Sequence, residues 1–265
     1  MYCLKIIIKP TAGLTFRILP GSILNIATYP FVPPTTLSGF LRRIAMLKAG
    51  LDLPETAINK DNPPYYTLPQ SIISLGAYPT AKSFKTVHKT HRKGMREFNH
   101  DVFSRLYISG DKANFQLHTW EYFITEKLQG YVVSEKLSAL TQFKDLEGYG
   151  CKLGKEGFAY ITDISKPLEL TQEILAKQPS TLVPMDDLLS SNQFIACDIY
   201  NLYRYDWSSS IIQENFLNNQ PTLIKGFIPF VAGYYSDESG SLPTLNYYHN
   251  QDVFIPVSFV NLLRG

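Results

Sequence analysis

The chain has 265 residues, 45% hydrophobic, 13% aromatic and 18% charged, a composition that supports a sizeable buried core and excludes global disorder. Its net charge of +2 hides a division: residues 1–96 carry thirteen Lys/Arg against three acids, the remaining 169 residues twelve against twenty. A basic N-terminal part facing a polyanion is the expectation, set against chance clustering that the acidic remainder neutralises.

Cys3, Cys151 and Cys197 are odd in number and widely scattered, which fits neither a disulfide framework nor a zinc-finger spacing. No stretch reaches ~18 uninterrupted apolar residues, and Lys5 and Lys9 bracket the apolar run at the start. Neither a membrane span nor a secretory leader is expected, and the chain reads as cytoplasmic.

Residues 2–9 read as a strand, with isoleucines at 6, 7 and 8. After a loop rich in proline and small residues comes a helix over "TTLSGFLRRIAMLKAG". Pro33 and Pro34 precede it, Thr35 or Thr36 can cap it, and Gly50 ends it. Leu37, Phe40, Leu41, Ile44 and Ala45 form its buried stripe, with Arg42 and Arg43 expected on the opposite face and available. "SIISLGAY" reads as a second strand, and the basic stretch "KSFKTVHKTHRKGMR" follows it. Alternating apolar residues around Gly110-Asp111 then suggest a hairpin. "SEKLSALTQFKDLEG" has helical spacing at Leu137, Leu140, Phe143 and Leu146, closed by Gly148. A glycine-punctuated turn, "GYGCKLGKEG", leads into the strand "FAYITDI". Beyond residue 166, strand-like runs fall at 193–204, 222–235 and 253–260, and Tyr247, Tyr248 and His249 are candidates for an exposed loop.

Without the basic insertion, residues 1–163 follow the order βαββαβ. The expected fold class is therefore α+β: a ferredoxin-like or RNA-recognition-type domain over 1–165, then a β-rich region over 166–265.

The basic stretch holds Lys82, Lys85, Lys89, Arg92, Lys93 and Arg96 with His88 and His91, and no acid. Cations around two histidines suit phosphate binding, and they also suit acid–base cleavage of RNA without a metal. Binding is favoured, because most basic loops are not catalytic. A metal site lacks third and fourth ligands, so none is expected, nor any cofactor. The glycine turn fails as a nucleotide loop: Tyr149 stands where a phosphate-binding loop needs glycine, and Glu156 where it needs Ser or Thr. Its amides could still approach a phosphodiester, with Lys152 and Lys155 adding charge.

"YPFVPPTTLSGFLRRI" resembles the N-terminal signature of the fifth CRISPR-associated protein family, within the RAMP superfamily. Tyr29, Pro30, Pro33, Pro34, Thr36, Leu37 and Gly39 match its pattern. "GYGCKLGKEGFAYI" resembles that family's glycine-containing segment. The resemblance covers 1–165. It implies a thumb hairpin inserted between the second and third core strands, here at about 80–118. It further implies a non-catalytic subunit of a type I Cascade-like complex, of type I-B character, that caps the 5′ handle of the CRISPR RNA. Backbone and large subunits would be its partners, with target DNA near. On that resemblance Pro34, Thr35, Thr36, Arg42 and Arg43 would line the RNA path beside the basic stretch. One branch of the family cleaves precursor RNA, which keeps a metal-independent endoribonuclease using His88 or His91 as the alternative.

Overall fold

A computed structural model describes residues 1–18, 25–51, 65–80, 82–93, 115–155, 157–191, 197–207, 217–218, 220–235 and 242–265, with backbone alone at 25, 89–93, 115–118 and 191. The isoleucine-rich start forms β1 (Tyr2–Pro10), the centre of the main sheet. β-branched residues suit a pleated surface, and Ile6 and Ile8 are fully buried on one face while Lys5, Ile7 and Lys9 on the other are partly or fully exposed. The neighbours of β1 are β6 (Leu128–Ser134) and β8 (Gly157–Ile164), both antiparallel. Outside them lie β3 (Ile73–Pro79) and β7 (Gly150–Leu153), giving the order β3-β6-β1-β8-β7. A two-residue strand, β9 (Leu168–Glu169), adds to β1. The first strand to follow β1 in sequence is the short β2 (Asn25–Ile26), which belongs to a different sheet.

Helix α1 (Pro34–Lys48) joins β1 to β3 and packs on this sheet. Leu37, Phe40, Leu41, Ile44 and Ala45 are buried as the spacing predicts. Burial of a large apolar side chain stabilises by about 1.5–3 kcal/mol, so the stripe anchors the helix strongly. Neither Thr35 nor Thr36 caps it. Pro33 is the N-cap residue without a side-chain bond, and Pro34 occupies the first turn. Proline there loses nothing, because its missing N–H would have had no partner within the helix. Gly50, at φ +63°, follows the helix end.

Three sequence expectations need correction. The segment after Glu135 forms only α2 (Leu137–Leu140) and a single 3-10 turn, with Leu137 exposed. The "GYGCKLGKEG" segment is not a plain turn, since four residues within it are β7, paired residue by residue with β8 from Gly150↔Tyr160 to Leu153↔Gly157. The 253–260 run is a strand only to Pro256. β15 (Val253–Pro256) gives way to α4 (Val257–Arg264), whose Phe259, Val260 and Leu263 face the core. Pro256 is the N-cap residue there and cannot donate to a continued ladder.

Three smaller sheets surround the main one. The first orders β2, β5 (Phe115–Thr125) and β4 (Ser83–Lys93) with β5 in the middle. The second joins β10 (Thr171–Ala176), β14 (Thr244–Asn250) and β15. Tyr247 is therefore fully buried in β14, not in a loop. The third places β13 (Ile224–Tyr234) between β11 (Val183–Pro184) and β12 (Asp198–Trp207), with α3 (Met185–Ser191) following β11.

One hydrophobic core runs through both parts of the chain, from Cys3 and Ile6 to Phe230, Tyr234 and Leu263. Phe31 is its hinge point, with ring centroids 5.1 Å from Tyr234, 5.4 Å from Tyr200 and 5.7 Å from Tyr78. The Tyr78 hydroxyl donates to the Leu75 carbonyl at 2.7 Å and accepts the Leu182 N–H at 3.2 Å. Burial raises the Tyr78 pKa well above the ordinary phenol value, so this hydroxyl stays protonated in its bridging role.

Candidate nucleic-acid interface

The basic stretch is the outer strand of a ribbon. β4 pairs antiparallel with β5 along its whole length, from Ser83↔Thr125 to Lys93↔Phe115. Among the described residues β4 has no partner on its other edge, and residues 82–88 are all exposed, Phe84 and Val87 included. An unpaired eleven-residue edge invites aggregation unless its side chains are charged, and lysine serves that purpose. Lys82, Lys85 and His88 therefore present themselves to solvent. Lys89, His91, Arg92 and Lys93 continue the strand opposite Thr119, Leu117, Gln116 and Phe115. Arg96, the Gly110-Asp111 turn and the middle of the thumb expected over 80–118 lie outside the described residues.

The inner strand fixes the ribbon to the body. Leu14 and Phe123 exchange both backbone hydrogen bonds, at 2.9 and 2.8 Å, and β2 pairs parallel with β5 at Asn25↔Thr119 and Ile26↔Trp120. Trp120, opposite His88, is only 2% exposed. The Lys155 ammonium stands 4.0 Å over its ring, so the second glycine segment is brought against the root of the ribbon by a cation–π contact. Lys152 is exposed on β7, between buried Cys151 and Leu153. Lys85 Nζ lies 3.7 Å from a Glu121 carboxylate oxygen, which also accepts the Thr28 N–H at 3.1 Å. Such a half-exposed pair stabilises by no more than about 1 kcal/mol, leaving the lysine free to exchange partners.

A second surface lies at the start of α1. An open cleft of about 290 Å³ is lined by Arg17, Tyr29, Pro33, Thr35, Thr36, Leu202, Tyr203 and Phe227. The first turn of α1 carries no acid to offset the positive end of the helix dipole. The Tyr205 hydroxyl donates to the Thr35 carbonyl at 2.9 Å, and the Tyr29 hydroxyl donates to the Asn201 carbonyl, so β12 is tied to both sides of the proline turn. The cleft thus combines a cation, two threonine hydroxyls and the rings of Tyr203 and Phe227, with the buried Tyr29 ring behind them, the surface chemistry that phosphates and unstacked bases require. Arg17, Tyr203 and Phe227 were not among the residues singled out from sequence, and Tyr29 was singled out only within the proline motif. They come from four distant segments and share no local pattern.

Arg42 does not belong to this surface. It is 2% exposed, and its Nη2 donates to the Asn218 carbonyl at 2.7 Å, the Asn218 side-chain oxygen at 2.9 Å and the Gln220 carbonyl at 3.3 Å. Chain from the C-terminal part covers the helix face that sequence periodicity leaves open. Burial lowers the Arg42 pKa from its ordinary value. Arg43 is half-buried on the same helix.

Burial also pushes the Cys3 thiol up to about 12 and Cys151 up to about 11, so neither offers a thiolate near neutral pH. Among the described residues no group of three or more His, Cys, Asp or Glu could hold a metal ion, and no helix is long and apolar enough to cross a membrane.

No family model matches the chain, and no curated protein matches it. Among solved structures it is similar to a CRISPR protein from Archaeoglobus fulgidus, at 10% identity and a TM-score of 0.41, covering 96% of this chain and 98% of that one. It is also similar to a chain of the type III-B Cmr-beta complex bound to cognate target RNA, at 11% identity and a TM-score of 0.37, covering 86% of each. Likeness this distant assigns no residue a role, so the roles rest on the geometry of this chain.

Proposed function

We propose that this protein is a non-catalytic RNA-binding subunit of a CRISPR effector complex that grips the 5′ handle of a CRISPR RNA in a type I Cascade-like assembly of type I-B character. The observation that carries this is the exposed basic ribbon. β4 and β5 lie in sequence between β3 and β6, and those two strands sit with β1 and β8 in the order β3-β6-β1-β8, every neighbour antiparallel. That order matches the split βαβ arrangement expected of a ferredoxin-like domain, which supports reading the ribbon as its thumb. On this reading residues 1–165 form the RNA-recognition-type unit, and 166–265 buttress it through the shared core.

Lys82, Lys85, Lys89 and Lys93 would neutralise phosphates along the ribbon, and Arg92 and Arg96 would extend the track. The Arg17 cleft would receive the handle, its threonines on phosphate or 2′-hydroxyl and its rings on bases. Stacking on an aromatic ring contributes about 1–3 kcal/mol per base. Lys152 and Lys155 would add charge at the ribbon root, and Arg43 would flank the helix. Neighbouring backbone and large subunits, with target DNA beyond them, would close over the RNA in the cytoplasm.

The non-catalytic assignment is supported by the composition of β4, where three lysines and an arginine outnumber the two histidines and suit phosphate binding without cleavage. Incubation of purified protein with precursor repeat RNA in EDTA, and a binding titration of handle RNA against a scrambled RNA of equal length, test the proposal. Preferential binding of the handle without cleavage is expected. Equal affinity for both RNAs overturns the handle assignment, and cleavage that His88→Ala abolishes establishes the endoribonuclease instead.

A further inference from the structure

The first turn of α1 also borders a second, smaller cavity of about 30 Å³, lined by residues of α1, β3, β12 and α4. Three side-chain polar atoms in its lining are buried without a hydrogen-bond partner among the described residues: Ser74 Oγ on β3, and Arg204 Nε and Trp207 Nε1 on β12. Ser74 is only 7% exposed. Buried polar groups are almost always paired, and three orphans bordering one small space point to a common partner.

The chemistry of the three atoms selects that partner. The guanidinium and indole N–H groups can only donate, and the serine hydroxyl can donate as well. Among the described residues no Asp or Glu lines the cavity. Three of the other polar side chains of the lining are engaged. Ser38 Oγ accepts the Leu68 N–H at 3.0 Å, the Tyr205 hydroxyl donates to Thr35, and Gln70 Nε2 donates to the Arg264 carbonyl at 3.2 Å. A water accepts two bonds and brings two protons that need acceptors of their own. An anion accepts from all three donors at once and is favoured by the arginine charge and the positive end of α1.

Size and donor count narrow the choice. One water needs roughly 10–15 Å³ of such space, so about 30 Å³ admits a small ion, and three donors suffice for a monatomic anion but leave most oxygen lone pairs of a phosphate without partners.

We propose that this cavity is a binding site for a single halide-sized anion, chloride under physiological conditions, held by Arg204 Nε, Trp207 Nε1 and Ser74 Oγ. The ion joins β12 and β3 beneath the same helix end that forms the Arg17 cleft. This site stands independently of the RNA-binding role.

Crystals soaked in sodium bromide and measured at the bromine absorption edge test it, together with melting curves in sodium chloride and in sodium gluconate at equal ionic strength. An anomalous peak in contact with all three donors is expected, with a higher melting temperature in chloride than in gluconate. Ser74→Ala and Trp207→Phe should each shrink that chloride-specific difference, whatever their melting temperature in gluconate. Density for water that bromide does not replace overturns the proposal. So does equal melting of the wild type in the two salts, and a bromide peak without chloride-dependent melting marks an adventitious ion only.

Discussion

Replacing Gly76 by alanine tests the link between the core sheet and the cleft. Gly76 sits in β3 at φ +93°, where the register against β6 shifts between Ser74 and Ala77. Holding an L residue at positive φ costs roughly 1–2 kcal/mol. The added Cβ would also meet the Val32 carbonyl oxygen at 2.7 Å, about 0.6 Å inside the usual carbon–oxygen approach. Overpacking of this kind costs about 1–3 kcal/mol more. Val32 and Ala77 exchange two backbone hydrogen bonds, at 2.8 and 3.1 Å, that hold the proline turn against β3. Relief of the clash must pull on those bonds and on Pro33–Thr36 behind them. Gly148→Ala is the control, because its φ is +81° but nothing lies within 4 Å of the added methyl. Urea denaturation should give a loss of about 2–5 kcal/mol for Gly76→Ala and about 1–2 kcal/mol for Gly148→Ala. At 2–4 °C per kcal/mol the overpacking cost alone should separate the two melting temperatures by roughly 2–12 °C. RNA affinity should fall only in the first variant. Equal midpoints for the two variants would refute the steric argument.

Arg42→Met should destabilise the protein by about 1.5–3 kcal/mol, because three oxygens lose a charged donor, while the salt dependence of RNA binding stays unchanged. Arg43→Met should stay within about 0.5 kcal/mol in the same denaturation assay. Stability should fall with alkaline pH. Burial raises Cys3, Tyr200 and Tyr235 to about 12. The unfolded chain therefore releases these protons first, near pH 9–10, and binds fewer protons than the native state. The stabilisation is complete below that range and lost as pH climbs towards 12. Denaturant midpoints measured from pH 8 to 11, with tyrosinate absorbance alongside, should decline together, and a flat midpoint would contradict the burial of these groups.

How far the sequence could be read depended on whether a feature was local. The apolar stripe of α1 and the isoleucines of β1 are carried by neighbouring residues, so periodicity alone locates them. β6, "LQGYVVS", is harder, because it follows Thr125 of β5 after only two residues and the two strands blur into one apolar run. α4 was hidden for a related reason: "VFIPVSFV" suits either a strand or a helix, and only Pro256 marks the change. The helical pattern leaves Arg42 on an open face because the residues that cover it, Asn218 and Gln220, lie more than 170 positions away. The cleft is the extreme case. Arg17, Tyr29, Tyr203 and Phe227 meet only when β12 and β13 pack beside the proline turn. Single aromatic residues in separate strands carry no signal of that meeting.

The central claim is that the β4 ribbon holds RNA by its phosphates. The direct measurement is the affinity for handle RNA across a series of salt concentrations, for the wild type and for the variant with Lys82, Lys85, Lys89 and Lys93 all replaced by alanine. Each lost phosphate contact on a single strand should reduce the slope of log affinity against log salt by about 0.7, so the full variant should lose up to about 3. An unchanged slope and affinity in a variant that melts like the wild type would contradict the account.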